Sequence, residues 1–327
     1  MSKLVTIYGG SGFLGRQIAR RMAKRGWRVR VAVRHVNDAL FVRPYGVVGQ
    51  VEPVFCNIRD DQTVRDVMRG ADVVVNCIGI LAEKGRNTFG AVQEEGAERV
   101  ARISREEGVG RLVQISAIGA DAESSSEYSR TKAAGEAAVL EHRPDAVIMR
   151  PSIMFGPGDS FFNKFADMTL FSPVLPLVGA KTKFQPVYVD DVAHAVEKAV
   201  LGEASSGIYE LGGPDVSTFR ELMKEMLGVI RRRRLMLPLP FFLARILAFF
   251  AEWGHTLSLG ILPQPITRDQ CESLRSDNIV HDGVKTFADL GIKPTATEAV
   301  LPEYLWRFRP SGQYLAIKES ARNLHTE

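Results

Sequence analysis

Tyr128-Ser129-Arg130-Thr131-Lys132 sets a phenol and an amine four residues apart. On a helix that spacing puts both on one face. An ammonium beside a phenol stabilises the phenolate and lowers its pKa, as a general acid or base requires. The same amine can hold a ribose hydroxyl. The pair alone is common, so its meaning depends on a second group, Gly9-Gly10-Ser11-Gly12-Phe13-Leu14-Gly15. Gly9 suits a tight turn, Gly12 lets backbone approach a pyrophosphate, and Gly15 lets a helix pack close to a strand. The following helix would aim unpaired N–H groups and a positive dipole end at phosphates.

The elements around these residues are legible. Leu4–Tyr8 reads as a buried strand, and Arg16–Arg25 has helical spacing that stops at Gly26. Further strands are expected at Arg28–Val33, Val51–Ile58, Asp72–Gly79 and Arg111–Ser116. Helices are expected at Gln62–Gly70 and Thr88–Glu107. This alternation predicts an α/β fold, a Rossmann-type doubly wound parallel sheet. Ligands of such sheets lie at the carboxyl ends of the strands. The candidate nucleotide residues are accordingly Gly9, Ser11, Gly12, Phe13, Leu14, Gly15 and Arg16 in the loop. Arg34 and His35 follow the second strand, Asn57 and Ile58 the third, and Cys77, Ile78 and Gly79 the fourth. Ser116 ends the fifth, and Tyr128 and Lys132 complete the group.

Arg34 stands where a reader of NAD places a carboxylate, about 20 residues past the glycines. No acid follows until Asp38. A guanidinium pairs with a ribose 2′-phosphate that a carboxylate would repel, so NADP(H) is the expected cofactor. Arg16 is a second candidate charge.

The composition sets bounds. The 327 residues suffice for a large domain with a lobe, and a net charge of +4 does not by itself imply nucleic acid. Cys56, Cys77 and Cys271 are expected as free thiols in a reducing compartment, and no metal-ligand cluster is seen. The first strand begins almost at Met1, so the expectation is a chain without a signal or transit peptide, or one already processed.

These motifs together resemble the short-chain dehydrogenase/reductase superfamily in its extended form. The resemblance continues through Arg150-Pro151-Ser152-Ile153-Met154-Phe155-Gly156-Pro157-Gly158-Asp159, Pro186–Ala193 and Tyr209–Gly213. It implies cofactor contacts at Pro151, Ser152 and Ile153. It also implies a nucleotide domain at 1–158 and 184–212 with a smaller lobe at 159–183 and 213–310. Residues 311–327 read as a polar tail. A narrower resemblance joins Gly79–Gly85, Ser125–Tyr128, Thr267–Gln270, Ser276–Asn278 and Leu301–Arg309. There the chain is similar to the bacterial form of the nucleotide-binding accessory subunit of respiratory complex I, NADH:quinone oxidoreductase.

That resemblance implies a tightly held NADPH that is not turned over. It implies other subunits of the oxidoreductase as partners, in the peripheral arm near the membrane and the quinone site. The expected location is peripheral, on the cytoplasmic side of a bacterial inner membrane, which corresponds to the mitochondrial matrix side. The catalytic set of the superfamily is incomplete. Ser116 is followed by Ala117 and Ile118 rather than a second hydroxyl, and Gln93 stands where asparagine is usual. Tyr128, Lys132 and Ser116 are thus read as vestigial, serving to position ribose and nicotinamide. The alternative is a free NADP-dependent reductase or epimerase of sugars, sterols or quinones. Only Lys181 and Lys183 precede the arginine run as candidates for a sugar-nucleotide diphosphate.

Residues 231–262 are the least dehydrogenase-like stretch. Arg231–Arg234 precede Leu235–Pro240 and the aromatic run Phe241–Trp253. Two prolines and Arg245 argue against a spanning helix of about 20 apolar residues. Two expectations follow: a helix in the core of the small lobe, or an interfacial helix on lipid or a partner with the arginines facing anionic headgroups.

Overall fold

The computed structural model describes residues 2–246, 248–249, 267–310 and 312–314. The described residues fall into two units. The first is drawn from Met1–Ser152, Val189–Gly212 and Val280–Pro294. The second is drawn from Ile153–Tyr188, Gly213–Ile279 and Thr295–Glu327. The sequence reading differs at the seams. It assigned 153–158 and 184–188 to the nucleotide domain and 280–294 to the lobe.

The first unit is a seven-stranded sheet in which every neighbouring pair is parallel. Six strands are β1 (Leu4–Tyr8), β2 (Arg28–Val33), β3 (Val51–Phe55), β4 (Val73–Asn76), β5 (Arg111–Ile115) and β6 (Val147–Pro151). With Gly207–Leu211 as the outer strand, the order is Gly207–Leu211, β6, β5, β4, β1, β2, β3. Helices α1 (Gly15–Lys24), α2 (Asp61–Met68), α3 (Glu95–Glu106) and α4 (Glu127–His142) make the crossovers, with Val189–Leu201 before the last strand. Strands covered on both faces need continuous apolar runs, and β1 is buried at all five positions. Its two polar side chains are satisfied by α2: Thr6 Oγ1 donates to the Val67 carbonyl at 2.9 Å and the Tyr8 hydroxyl to the Val64 carbonyl at 2.7 Å.

Three elements depart most from the sequence reading, and the first is β4, which ends at Asn76 rather than Gly79. β3 stops at Phe55 rather than Ile58, because Asn57 turns the chain: its Oδ1 accepts the Arg59 N–H, and the Thr63 hydroxyl donates to its carbonyl. The helix expected over 88–107 is a π turn at Gly90–Glu94 followed by α3. There the Gln93 carbonyl presses against Gly135 of α4, where any Cβ would collide with it. An inserted residue in a helix is a device found often at functional sites.

The second unit has its own core, built on Phe155, Phe162, Leu175, Leu177, Met223 and Leu301. Leu235–Leu239 pairs in parallel with Val174–Val178, and residues 241–246 are helical. The arginine run is divided in its use. Arg231 lies in the left-handed region (φ 52°), just beyond the helix Phe219–Val229. Arg232 Nε donates to the Phe308 carbonyl at 2.8 Å, and Arg234 Nε and a terminal amine donate to the Thr169 carbonyl at 3.0 and 2.8 Å. Two of the four guanidinia expected to face outward are therefore tied to backbone.

The aromatic helix is not wholly core. Ala244 and Ala248, one turn apart, are buried with Val178 and Cys271. Phe242 (63 % exposed), Leu243, Ile246 and Phe249 face outward, as do Leu235, Leu237 and Phe171 (92 %). Phe250 and Trp253 lie outside the described residues, as does all of the expected tail except Gly312–Tyr314. Among the described residues no helix is long and apolar enough to cross a membrane.

Candidate functional site

The strand order reverses between β1 and β4, and the loops after both strands meet there. Gly9 has φ +72°, and a Cβ on it would lie 3.1 Å from Ile78 and 3.3 Å from the Cys77 carbonyl carbon. Its N–H donates to the Ala32 carbonyl at 3.0 Å, which ties the loop to β2. A Cβ on Gly15 would come within 2.7 Å of Gly10 Cα and closer still to the Gly9 carbonyl oxygen. The first turn of α1 is thus packed directly on the loop. A Cβ on Gly12 would meet only the Gly9 carbonyl oxygen, at 3.1 Å. The side of the loop that must admit a phosphate is the open one. No side chain caps α1 and no carboxylate stands in its first turn, so its dipole favours an anion.

Arg16 lies against the Phe13 ring (5.5 Å to the centroid), with its Nε buried and lacking a hydrogen-bond partner. Arg34 and His35, just beyond β2, are exposed. Ser11 is partly buried and Leu14 is buried. Ile58 is buried behind β3, and Asn57 is engaged in the turn that follows it.

Gly79 connects the loop side to the helix side. A Cβ there would sit 3.2 Å from Lys132 Nζ. Lys132 is 7 % exposed, and its amine lies 5.9 Å from the centre of the Tyr128 ring. Both project from α4, whose amino end is capped by Ser126 Oγ accepting the Ser129 N–H. Burial pushes the Lys132 amine down to about 8, against the favourable influence of Glu136 and Cys77. Tyr128 is partly buried, with Phe89 edge-on to its ring at 5.9 Å. Ser116 directly follows β5, with its hydroxyl buried and unpartnered. Gln93, in the π turn, donates to the Ile80 carbonyl at 3.4 Å and leaves its Oε1 buried without a partner.

Gly9, Ile78, Gly79 and Lys132 therefore form one continuous wall at the carboxyl ends of the strands. Pro151 ends β6 and Ser152 follows it; both are buried, and the Ser152 N–H donates to the Leu211 carbonyl. Ile153 belongs to the second unit. The wall joins the open side of the loop at Gly12, over an uncapped helix, to a buried amine beside a phenol. That arrangement can hold a dinucleotide and exchange a proton at the Tyr128 hydroxyl. Among the described residues, no group of three or more His, Cys, Asp or Glu side chains is placed to hold a metal ion.

The sequence reading missed a row of charges behind this wall. Arg150 Nε and a terminal amine reach the Glu136 carboxylate at 2.9 and 2.6 Å, and its other amine reaches Glu210 at 3.3 Å. Glu210 also accepts from the His281 N–H at 2.9 Å and lies 2.8 Å from His281 Nδ1. The Glu136 position, four residues after Lys132, was a usable signal. The return of 280–294 to this unit had none.

Comparison with known proteins agrees with this geometry. The NAD dependent epimerase/dehydratase family matches over residues 5–212. The chain is 37 % identical over 316 residues to mitochondrial NADH dehydrogenase [ubiquinone] 1 alpha subcomplex subunit 9 of Arabidopsis thaliana. That likeness covers 94 % of this chain and 79 % of the plant protein. A ceramide reductase of Caulobacter vibrioides is 31 % identical over 239 residues, 72 % of this chain and 74 % of that one. In fold, the chain is similar to UDP-glucose 4-epimerase of Thermus thermophilus, solved with NAD. The TM-score is 0.67 at 20 % identity, over 94 % of this chain and 99 % of the other. The chain is a member of the NAD dependent epimerase/dehydratase family, with the extended short-chain dehydrogenase architecture, and a relative of alpha subcomplex subunit 9 of mitochondrial NADH dehydrogenase.

Proposed function

We propose that the chain is an accessory subunit of a respiratory NADH:quinone oxidoreductase that holds NADP(H) without turning it over. The observation that carries this reading is the likeness to the plant subunit along 94 % of the chain, which spans both units. The glycine loop, Cys77–Gly79, Ser116, Tyr128, Lys132, Pro151 and Ser152 would hold the nucleotide, with Arg16 and Arg34 as the charges for phosphate. When bound, the nucleotide supplies hydride chemistry. The chain itself offers a proton site at Tyr128 and an ammonium for the ribose. The missing second hydroxyl beyond Ser116 and the glutamine at 93 favour holding over turnover.

The exposed apolar side chains Phe171, Leu235, Leu237, Phe242, Ile246 and Phe249 support docking on a partner subunit or a lipid surface. Such docking would be peripheral, on the cytoplasmic side of a bacterial inner membrane. A second reading is a free NADP-dependent reductase, favoured by the likeness to the ceramide reductase and by the buried Lys132 beside Tyr128. The two separate on one preparation. Native protein drawn from solubilised membranes is denatured and its nucleotide identified, and the isolated chain is assayed for NADPH oxidation. The accessory reading expects NADP(H) in the extract, co-purifying respiratory subunits and no oxidation. Turnover by the free chain that is lost in Tyr128→Phe would establish the reductase.

A further inference from the structure

The charge row behind the site is built from four segments of the first unit. Glu136 lies on α4, one helical turn after Lys132. Arg150 lies on β6, Glu210 on the outer strand, and His281 on the returning stretch 280–294. Glu136 is 5 % exposed and Glu210 is 1 % exposed. Arg150 binds both oxygens of Glu136 and one of Glu210. The stretch 280–294 is fastened to the outer strand at this point. The Glu210 N–H donates to the Lys285 carbonyl at 2.8 Å, and Lys285 Nζ donates to Ser205 and to the Ser206 carbonyl.

Counting charge decides what the row does. Two buried carboxylates face one guanidinium that is only partly buried. One guanidinium cannot neutralise two carboxylates, and an uncompensated buried charge is costly. The second cation must come from an end of the row: Lys132 at the inner end, or His281 at the surface. The ionisable groups that act on Lys132 are Cys77 beyond β4, Tyr128 and Glu136 on its own helix, and, through Glu136, Arg150 and Glu210. Of these only Glu136 both stands one turn away and belongs to the row.

We infer that Glu136 is a positioning residue that, from one helical turn away, favours the charged form of Lys132, and that it belongs to a row of alternating charges that surfaces at His281. This deepens the nucleotide-site reading and rests on it for the use of the lysine, but not for the lysine's titration. Arg150 immediately precedes Pro151 and Ser152, so the same row anchors both the helix that carries Tyr128 and the strand end beside it.

The test is the titration of Lys132 itself, followed by the ε-carbon NMR signal in protein labelled with 13C-lysine, without nucleotide. Lys132→Met assigns the signal. The unaltered chain is expected to titrate near 8. Glu136→Gln, of equal shape, should titrate about one pH unit lower, since a nearby opposite charge moves a pKa by about 1–3 units. Superimposable curves would overturn the inference. Should Glu136→Gln fail to fold, Glu210→Gln replaces it. With Glu210 neutral, Arg150 fully offsets Glu136, so Lys132 must again titrate lower, and an unmoved curve again refutes the row. Adding NADPH to the unaltered protein judges the other reading separately. If the Lys132 signal moves with pH as expected but not with NADPH, the nucleotide site is wrong and the charge row stands.

Discussion

Gly12 and Gly15 are three residues apart at the entry into α1, yet alanine at each should fail in a different way. At Gly15 the added Cβ would lie within 2.7 Å of Gly10 Cα and closer still to the Gly9 carbonyl oxygen. Ordinary van der Waals contact is about 3.4–4 Å, and both obstacles are backbone, so α1 must move off the loop as a body. Overpacking of this kind costs about 1–3 kcal/mol. For a domain of roughly 150–250 residues each kcal/mol lowers the melting temperature by about 2–4 °C. At Gly12 the methyl meets only the Gly9 carbonyl oxygen at 3.1 Å, and otherwise projects into the space a pyrophosphate needs. Gly12→Ala should therefore melt close to the unaltered chain without nucleotide and lose most of the stabilisation that nucleotide confers. That increment is about 2.7 kcal/mol at a hundredfold excess over the dissociation constant. Thermal melts of both variants, with and without NADPH, read the two effects together. Equal apo melting of Gly15→Ala, or an undiminished NADPH increment in Gly12→Ala, would refute the assignment of the loop.

Arg34→Asp should reverse or abolish a preference for NADPH over NADH in equilibrium binding. A charge-assisted contact contributes about 1.5–3 kcal/mol, roughly ten- to a hundredfold in affinity. Lys132 gives opposite pH trends in one window. Its folded value is lowered from 10.5 to about 8, so the unfolded chain binds more protons between these limits. Stability without nucleotide should therefore rise as pH increases from 8 toward 10.5, while nucleotide affinity falls as the ammonium is lost. Parallel trends in denaturant titrations and binding isotherms would contradict this. Phe242→Ser with Phe249→Ser should release the chain from membranes or partner subunits without changing its melting profile, because both rings face outward. A lowered melting temperature in that double variant would make the rings core.

The sequence revealed what local chemistry determines. β2 runs over Arg28–Val33 as expected, and α1 ends one residue earlier, with Gly26 in the left-handed conformation. The glycine-loop residues, Gly79 and Lys132 stand out in sequence by type and spacing, and the fold brings Gly9, Ile78, Gly79 and Lys132 onto one wall. What stayed hidden depends on distant partners. The π turn at Gly90–Glu94 has no local residue signal, and its Gln93 carbonyl packs against Gly135 on another helix. Arg232 and Arg234 belong to a run that one expectation turns toward anionic headgroups, yet carbonyls 76 and 65 residues away hold them. Arg150, Glu210 and His281 each look ordinary in sequence, and Glu136 is marked only by its spacing from Lys132. Only the parallel pairing of β6 with Gly207–Leu211 and the return of 280–294 make them a row.

The central claim is membership of a respiratory complex with NADP(H) held in place. Its most direct test is native electrophoresis of gently solubilised membranes from cells expressing the chain, with the chain detected by antibody and NADH dehydrogenase activity stained in the same lane. The account predicts that the chain migrates with the large NADH-oxidising band, and that nucleotide extracted from that band includes NADP(H). Migration as a free species of 36.1 kDa, with none in the active band, would contradict it.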